Sequence, residues 1–233
     1  MRGVALAGSA CACALMAYAV RGRSSTLLAP SVYRGSRRRR SIALTFDDGP
    51  SEGTNQLLEI LNRHQTPATF FVCGMNVERL PATTRATAAA GHEIGNHSYS
   101  HPALYLRSRR FISSELSAAQ SVIAGAIGTA PTLFRAPFGA RWFGLREAQR
   151  ELNLLGVMWT VLGLDWKLGA DQIVSRIVSR AENGAIICLH DGRGVRANPD
   201  IGPTLEAVER IIPVLQSRGF IFETVSQILC PNN

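Results

Sequence analysis

From Ser41 onward, short apolar, β-prone runs alternate with amphipathic helical patterns, as expected of parallel strands joined by crossover helices. The expected strands are 41–46, 68–72, 93–96, 133–135, 157–161, 185–189 and 220–223, seven in all. Between them, 55–64, 111–127, 146–153, 170–180 and 203–217 read as helices, with Leu57, Leu58 and Leu61, or Ile173, Ile177 and Val178, at helical spacing. An α/β barrel or distorted barrel follows. A chain of 233 residues with 46% apolar composition can bury one such core, and no repeat or linker divides 41–233 into two domains.

Against this frame the polar residues fall in register. Asp47 and Asp48, His97, Arg135, Asp165 and His190 each stand just past the end of an expected strand. Carboxyl ends of parallel strands are where barrel active sites assemble. Each residue alone is ordinary, because Asp-Gly is a turn signal and a lone Arg or His is usually a surface residue. Their shared placement carries the argument. An aspartate pair in Thr45-Phe46-Asp47-Asp48-Gly49-Pro50 and a histidine pair in His97-Ser98-Tyr99-Ser100-His101 outline a hydrolytic metal site, with one carboxylate left over as a base. The His-x-x-x-His spacing would put both imidazoles on one face of a helical turn, although Pro102 and the Ser-Tyr-Ser interior point to a loop-like turn.

These stretches resemble the motifs of the polysaccharide deacetylases, carbohydrate esterase family four, over 41–228. Thr45 to Pro50 is similar to the first motif and Gly91 to His101 to the second. Arg135-Ala136-Pro137-Phe138-Gly139 is similar to the third, Asp165-Trp166 to the end of the fourth, and Leu189-His190-Asp191 to part of the fifth. The resemblance implies a single-domain, distorted seven-stranded (β/α) barrel. It further implies that Asp48, His97 and His101 hold a divalent metal, that Asp47 is the general base, and that His190 is the general acid tuned by Asp165. Arg135 would pair with Asp47, the Phe138 backbone N–H would face the oxyanion, and Trp166 would wall the acetyl pocket beside Cys188 and Leu189. Phe138 and Trp166 read equally as core aromatics. Zinc suits the Asp/His/His set best, with cobalt or nickel able to substitute.

Two positions depart from the family pattern. Leu162 stands where another aspartate usually opens the fourth motif, and Cys188 stands where the fifth has leucine two residues before the histidine. Cys188 would make the acetyl pocket roomier or more polarizable, whether as a small buried hydrophobe or as an extra soft ligand.

Residues 1–40 read as a leader outside the fold, because 4–20 is an uncharged run rich in Ala, Cys and Leu behind Arg2. Ala17-Tyr18-Ala19 resembles a signal cleavage site, whereas Arg21, Arg23 and Arg37 to Arg40 oppose translocation, so an uncleaved anchor or an organelle transit peptide stays open. The corresponding expectations are an exported or membrane-anchored protein facing the cell envelope and membrane contact through residues 4–20. The formal charge of +8 arises entirely here: eight arginines precede the first acid, Asp47, and seventeen basic and seventeen acidic residues remain. Such a balance speaks against nucleic-acid binding. Cys73, Cys188 and Cys230 are an odd number after the leader and read as free.

The expected activity is hydrolysis of N-acetyl groups on N-acetylglucosamine-containing glycans, chitin oligomers or peptidoglycan, with no protein partner. The alternatives are another acyl substrate, such as O-acetyl xylan or a cyclic imide, and a non-catalytic carbohydrate-binding relative.

Overall fold

The computed structural model describes residues 2–230, with side chains from Cys11 onward. Its strands are β1 (Ser31–Val32), β2 (Ser41–Gly49), β3 (Thr69–Val72), β4 (Glu93–Asn96), β5 (Leu133–Phe134), β6 (Leu155–Val157), β7 (Val161–Leu162), β8 (Ala185–His190) and β9 (Ile221–Phe222). Its helices are α1 (Arg2–Arg21), α2 (Thr54–Arg63), α3 (Gly74–Arg79), α4 (Pro81–Ala89), α5 (Arg109–Ile127), α6 (Leu145–Glu151), α7 (Ala170–Val178), α8 (Gly202–Ser217) and α9 (Val225–Leu229). All the pairings between these strands are parallel, in the order β1-β6-β5-β4-β3-β2-β8-β7, with β9 added to the start of β2. The sheet curls into an open-sided (β/α) barrel.

Strand alternation splits the core into two faces. Ile42, Leu44 and Phe46 of β2, with Ile187 and Leu189 of β8, pack outward against Leu57 and Leu61 of α2, Ile173 and Ile177 of α7, and Val208 and Ile211 of α8. Ala43, Phe71, Val157 and Ile186 point the other way and meet Val225 and Ile228 of α9. All nine residues of β2 are buried, as a strand covered on both faces requires. The longest helix after α1, α5, is bounded by local chemistry: Ser108 Oγ accepts the Phe111 N–H at 3.2 Å, and Gly128 ends it at a φ of 79°.

Register places the strand ends level. Asp47 pairs across from His190 on β8, and Val72 lies across from Asn96 on β4. The residues that follow these positions therefore open onto one rim.

The structure corrects the sequence reading in three places. The expected strand 157–161 divides into β6 and β7, which join different neighbours. Helices α3, α4 and α9, at six, nine and five residues, are additions to the expected set. Most consequentially, the fold begins upstream of Ser41. β1 pairs with β6, Arg34 and Arg39 form ion pairs with Glu182 and Glu223, and Ser25, Leu28 and Ala29 are buried. Buried Arg141 grips this segment, donating to Ser25 O at 2.7 Å, Ser31 Oγ at 3.0 Å and Gly22 O. The basic excess that reads as a targeting signal is thus partly spent on docking residues 22–40 to the domain. Among the described residues, no helix is long and apolar enough to cross a membrane.

Candidate active site

At the carboxyl rim a cavity of about 620 Å³ is lined by Asp47, Asp48, His97, His101, Phe138, Trp166, Cys188 and His190, together with Arg21, Met158, Trp159, Leu162 and Arg193. Ten of the eleven sequence-predicted site residues meet in or immediately beneath it. The exception is Leu189. One step along β8 from Cys188 and His190, its side chain turns to the helix-packed face and is fully buried there.

Asp47 and Asp48 are adjacent but face different partners, because β2 carries an irregularity between Asp47 and Gly49 and Asp48 sits at a φ of 71°. Asp48 meets the histidine pair: His101 Nε2 lies 3.0 Å and His97 Nε2 3.3 Å from its Oδ1. Neither N–H direction makes a hydrogen bond there, so this buried oxygen has no donor. Its other oxygen accepts the Gly194 N–H at 2.8 Å. The His97 Nδ1–H donates to the Arg135 carbonyl at 2.7 Å, which turns the Nε2 lone pair toward Asp48. Three mutually close lone pairs, one on an orphaned buried carboxylate, are a donor set for a divalent cation of the zinc type.

His97 to His101 is not helical. Ser98 and His101 take φ values of 65° and 58°, and Glu115 of α5 gathers the turn by accepting from Tyr99 N at 3.1 Å, Ser100 N at 2.8 Å and Ser100 Oγ at 2.8 Å. The loop-like alternative is the one the chain adopts.

Asp47 is held from both sides. The guanidinium of Arg135, 0% exposed, donates to its Oδ1 at 2.6 Å and to Thr45 Oγ1 at 2.7 Å, and stacks 4.1 Å over the Phe71 ring. The Cys188 thiol donates to Oδ2 at 3.4 Å. Opposite, the His190 Nδ1–H donates to Asp165 Oδ1 at 2.8 Å, while Asp165 Oδ2 accepts from the His190 backbone N–H at 2.9 Å and from Thr204 Oγ1 at 2.7 Å. Burial pulls the His190 imidazole toward neutrality, yet the Asp165 contact and the charges of Asp48 and Asp47 raise its pKa to about 9. It is therefore an imidazolium at neutral pH, with Nε2 free.

Phe138 and Trp166 are rim residues, not core aromatics, at 57% and 48% exposure. Phe138 takes a φ of 58° and meets the His101 ring edge-on at 4.8 Å; Trp166 meets His190 likewise at 5.0 Å. Met158, Trp159, Arg193 and Gly194 are additions the sequence did not flag. Only the proximity of 158–159 to a strand end could have suggested them. Arg21, assigned to the leader, also reaches the cavity.

Comparisons with known proteins place this geometry. The polysaccharide deacetylase family profile matches residues 34–157. The chain is 36% identical over 198 residues to a chitooligosaccharide deacetylase of Bradyrhizobium sp. (strain ANU 289), covering 81% of this chain and 90% of that one. It is 32% identical over 195 residues to a peptidoglycan-N-acetylglucosamine deacetylase of Bacillus cereus, covering 83% and 70%. Among solved structures it superposes on the Bc1960 peptidoglycan N-acetylglucosamine deacetylase with a TM-score of 0.80 at 31% identity, covering 84% and 91%. It also resembles BA3943, a CE4 family pseudoenzyme from Bacillus anthracis, with a TM-score of 0.78 at 27% identity over 87% and 69%.

Proposed function

This chain belongs to the polysaccharide deacetylase family, and from that premise we propose that it is a metal-dependent amide hydrolase that removes N-acetyl groups from N-acetylglucosamine-containing glycans. The observation that carries the reading is the intact pairing of a three-donor cation site with a separate base and a separate acid around one cavity. A pseudoenzyme reading finds no missing part in this site.

A divalent cation, zinc by its donor set, would be held by Asp48, His97 and His101 and would supply Lewis acidity toward the acyl oxygen and toward the attacking water. Asp47 takes the water's proton on Oδ2, since Oδ1 is committed to Arg135. The Arg135 ion pair fixes the Asp47 rotamer and keeps it available as a carboxylate. The Phe138 N–H, carried on a left-handed backbone turn that faces the cavity, steadies the developing oxyanion. His190 gives its Nε2 proton to the departing amine, and Asp165 holds the ring in the orientation that allows it. Trp166 walls the acetyl pocket.

Between the two glycan classes, the rim favours a strand that carries carboxylates. Arg21 and Arg193 line the cavity, and Leu162 stands where the family pattern places an acid.

The test is acetate release by the full chain from peptidoglycan and from chitooligosaccharides, after chelation and after zinc is restored. The full chain is used because residues 22–40 are packed into the domain. Zinc-restored release, abolished in Asp47→Asn and His101→Ala, is expected. No release from either polymer with zinc bound, or wild-type rates in those variants, would overturn the reading. Release from O-acetyl xylan alone would move the enzyme to the ester branch.

A further inference from the structure

We propose that Asp47, Cys188 and His190 form a second metal site, inhibitory in effect, for a thiophilic divalent cation such as cadmium or excess zinc. One donor atom from each of the three lies within 4.8 Å of the others, as in the Asp48, His97 and His101 set, and no residue is shared between the two. Each donor is already turned inward. Arg135 occupies Asp47 Oδ1 and leaves Oδ2; Asp165 occupies His190 Nδ1 and leaves Nε2; and the Cys188 S–H points at Asp47 Oδ2 from 3.4 Å. The thiol proton thus sits where a cation would bridge sulfur and oxygen. All three residues line the cavity, so a solvated ion can reach them.

The chemistry of the set selects the ion. Thiolate and imidazole with one carboxylate suit zinc and cadmium, whereas magnesium, calcium and manganese prefer oxygen. Binding forms metal–sulfur and metal–nitrogen bonds and releases two protons to solvent, one from the Cys188 thiol and one from His190 Nε2, with no change of oxidation state. Burial, reinforced by the charge of Asp47, pushes the thiol pKa well above its ordinary value, so only a cation that bonds strongly to sulfur displaces that proton. The site exists because residue 188 is cysteine; the leucine of the family pattern would offer two donors instead of three. Occupancy would engage both the base and the acid, so a second equivalent of metal would silence the enzyme. That inhibitory consequence rests on the function proposed above, but the binding does not.

The experiment loads the full chain with one equivalent of zinc and titrates cadmium while following the ultraviolet thiolate-to-cadmium charge-transfer band and, in parallel, acetate release. The wild type is expected to take up one further equivalent with the band, and to lose activity over the same range. Cys188→Ala should lack the band and need at least roughly tenfold more cadmium for inhibition, since losing a ligand costs no less than losing an outer-layer partner. Cys188→Ser, nearly the same size, should behave likewise and guards against a folding defect in the first variant. Absence of the band in the wild type would overturn the site. An unchanged band in both variants would do so as well, by placing the thiolate at another cysteine. A Cys188-dependent band with undiminished acetate release would overturn the inhibitory role alone, and the band's appearance in a chain that releases no acetate would fault the deacetylase reading and not the site.

Discussion

Replacing Asp165 with asparagine tests the acid half of the mechanism, because the two side chains have the same shape and differ in charge. Asparagine can still accept the His190 Nδ1–H that Asp165 accepts at 2.8 Å, so the ring should keep its orientation. What is lost is the foremost of the anions, Asp165 ahead of Asp48 and Asp47, that together outweigh burial and lift His190 from 6.5 to about 9. With that anion gone, burial, the largest single cause, is opposed only by the weaker charges of Asp48 and Asp47, so the imidazole should titrate well below about 9. The lowered Asp165 carboxyl is the other side of the same interaction and adds nothing further. At 1.36 kcal/mol per unit, the shift is worth about 3 kcal/mol. At about pH 8 the wild type would be largely protonated and the variant much less so, so kcat/KM should fall there, by up to roughly thirtyfold were the whole shift lost, and recover progressively toward acid pH. A cation held by Asp48 would offset the Asp48 contribution in both proteins alike, so the test rests on the displacement of the basic limb between them and not on its absolute position. The assay is the pH dependence of kcat/KM for acetate release, with zinc occupancy verified at each pH. A basic limb that stays in place in Asp165→Asn, or a uniform loss of rate at every pH, would refute the assignment of His190 as an acid whose charge Asp165 maintains.

Three further outcomes follow from the same contacts. Because the folded pKa of His190 lies above the unfolded one, its stabilisation should be complete below about pH 6.5 and vanish as pH rises through about 9. Urea unfolding of the metal-free chain should therefore show a loss of about 3 kcal/mol across that window that is missing in His190→Gln. Arg135→Met strands the buried Asp47 carboxylate without its counterion and should cost about 3–5 kcal/mol of stability by the same measurement; a cost under about 1 kcal/mol would mean that Asp47 does not depend on this pair. Gly192→Ala would bring a Cβ to 2.1 Å from the Asp48 carbonyl, a backbone contact that cannot yield by side-chain motion. It should weaken zinc roughly tenfold or more in a competition titration with a chelator, and unchanged affinity would show that the turn can move without disturbing the ligand.

Much of the site was legible because parallel strands end on one rim, so a polar residue just past each apolar run is a residue at the mouth. Asp47, Asp48, His97, Arg135, Asp165 and His190 could all be placed by that rule. Leu189 shows its limit. A motif names neighbours, but the strand period of two sends 188 and 190 to the cavity and 189 to the helices. Residues 22–40 show another. Arginine-rich, acid-free sequence reads as an address, whereas the partners that fix it, the acceptors Glu182 and Glu223 and the donor Arg141, lie more than a hundred residues away.

The sequence by itself determined the alternation of elements, the faces of the main helices, the chemical inventory of the site and the family. Each of these depends on residue type and local period, which a linear chain displays directly. Tertiary structure alone decided the register that sets Asp47 level with His190, the left-handed φ of Asp48, Ser98, His101 and Phe138, and the meeting of Cys188 with Asp47. Such backbone angles are costly for residues with a Cβ and persist only where surrounding contacts impose them, so no local pattern announces them.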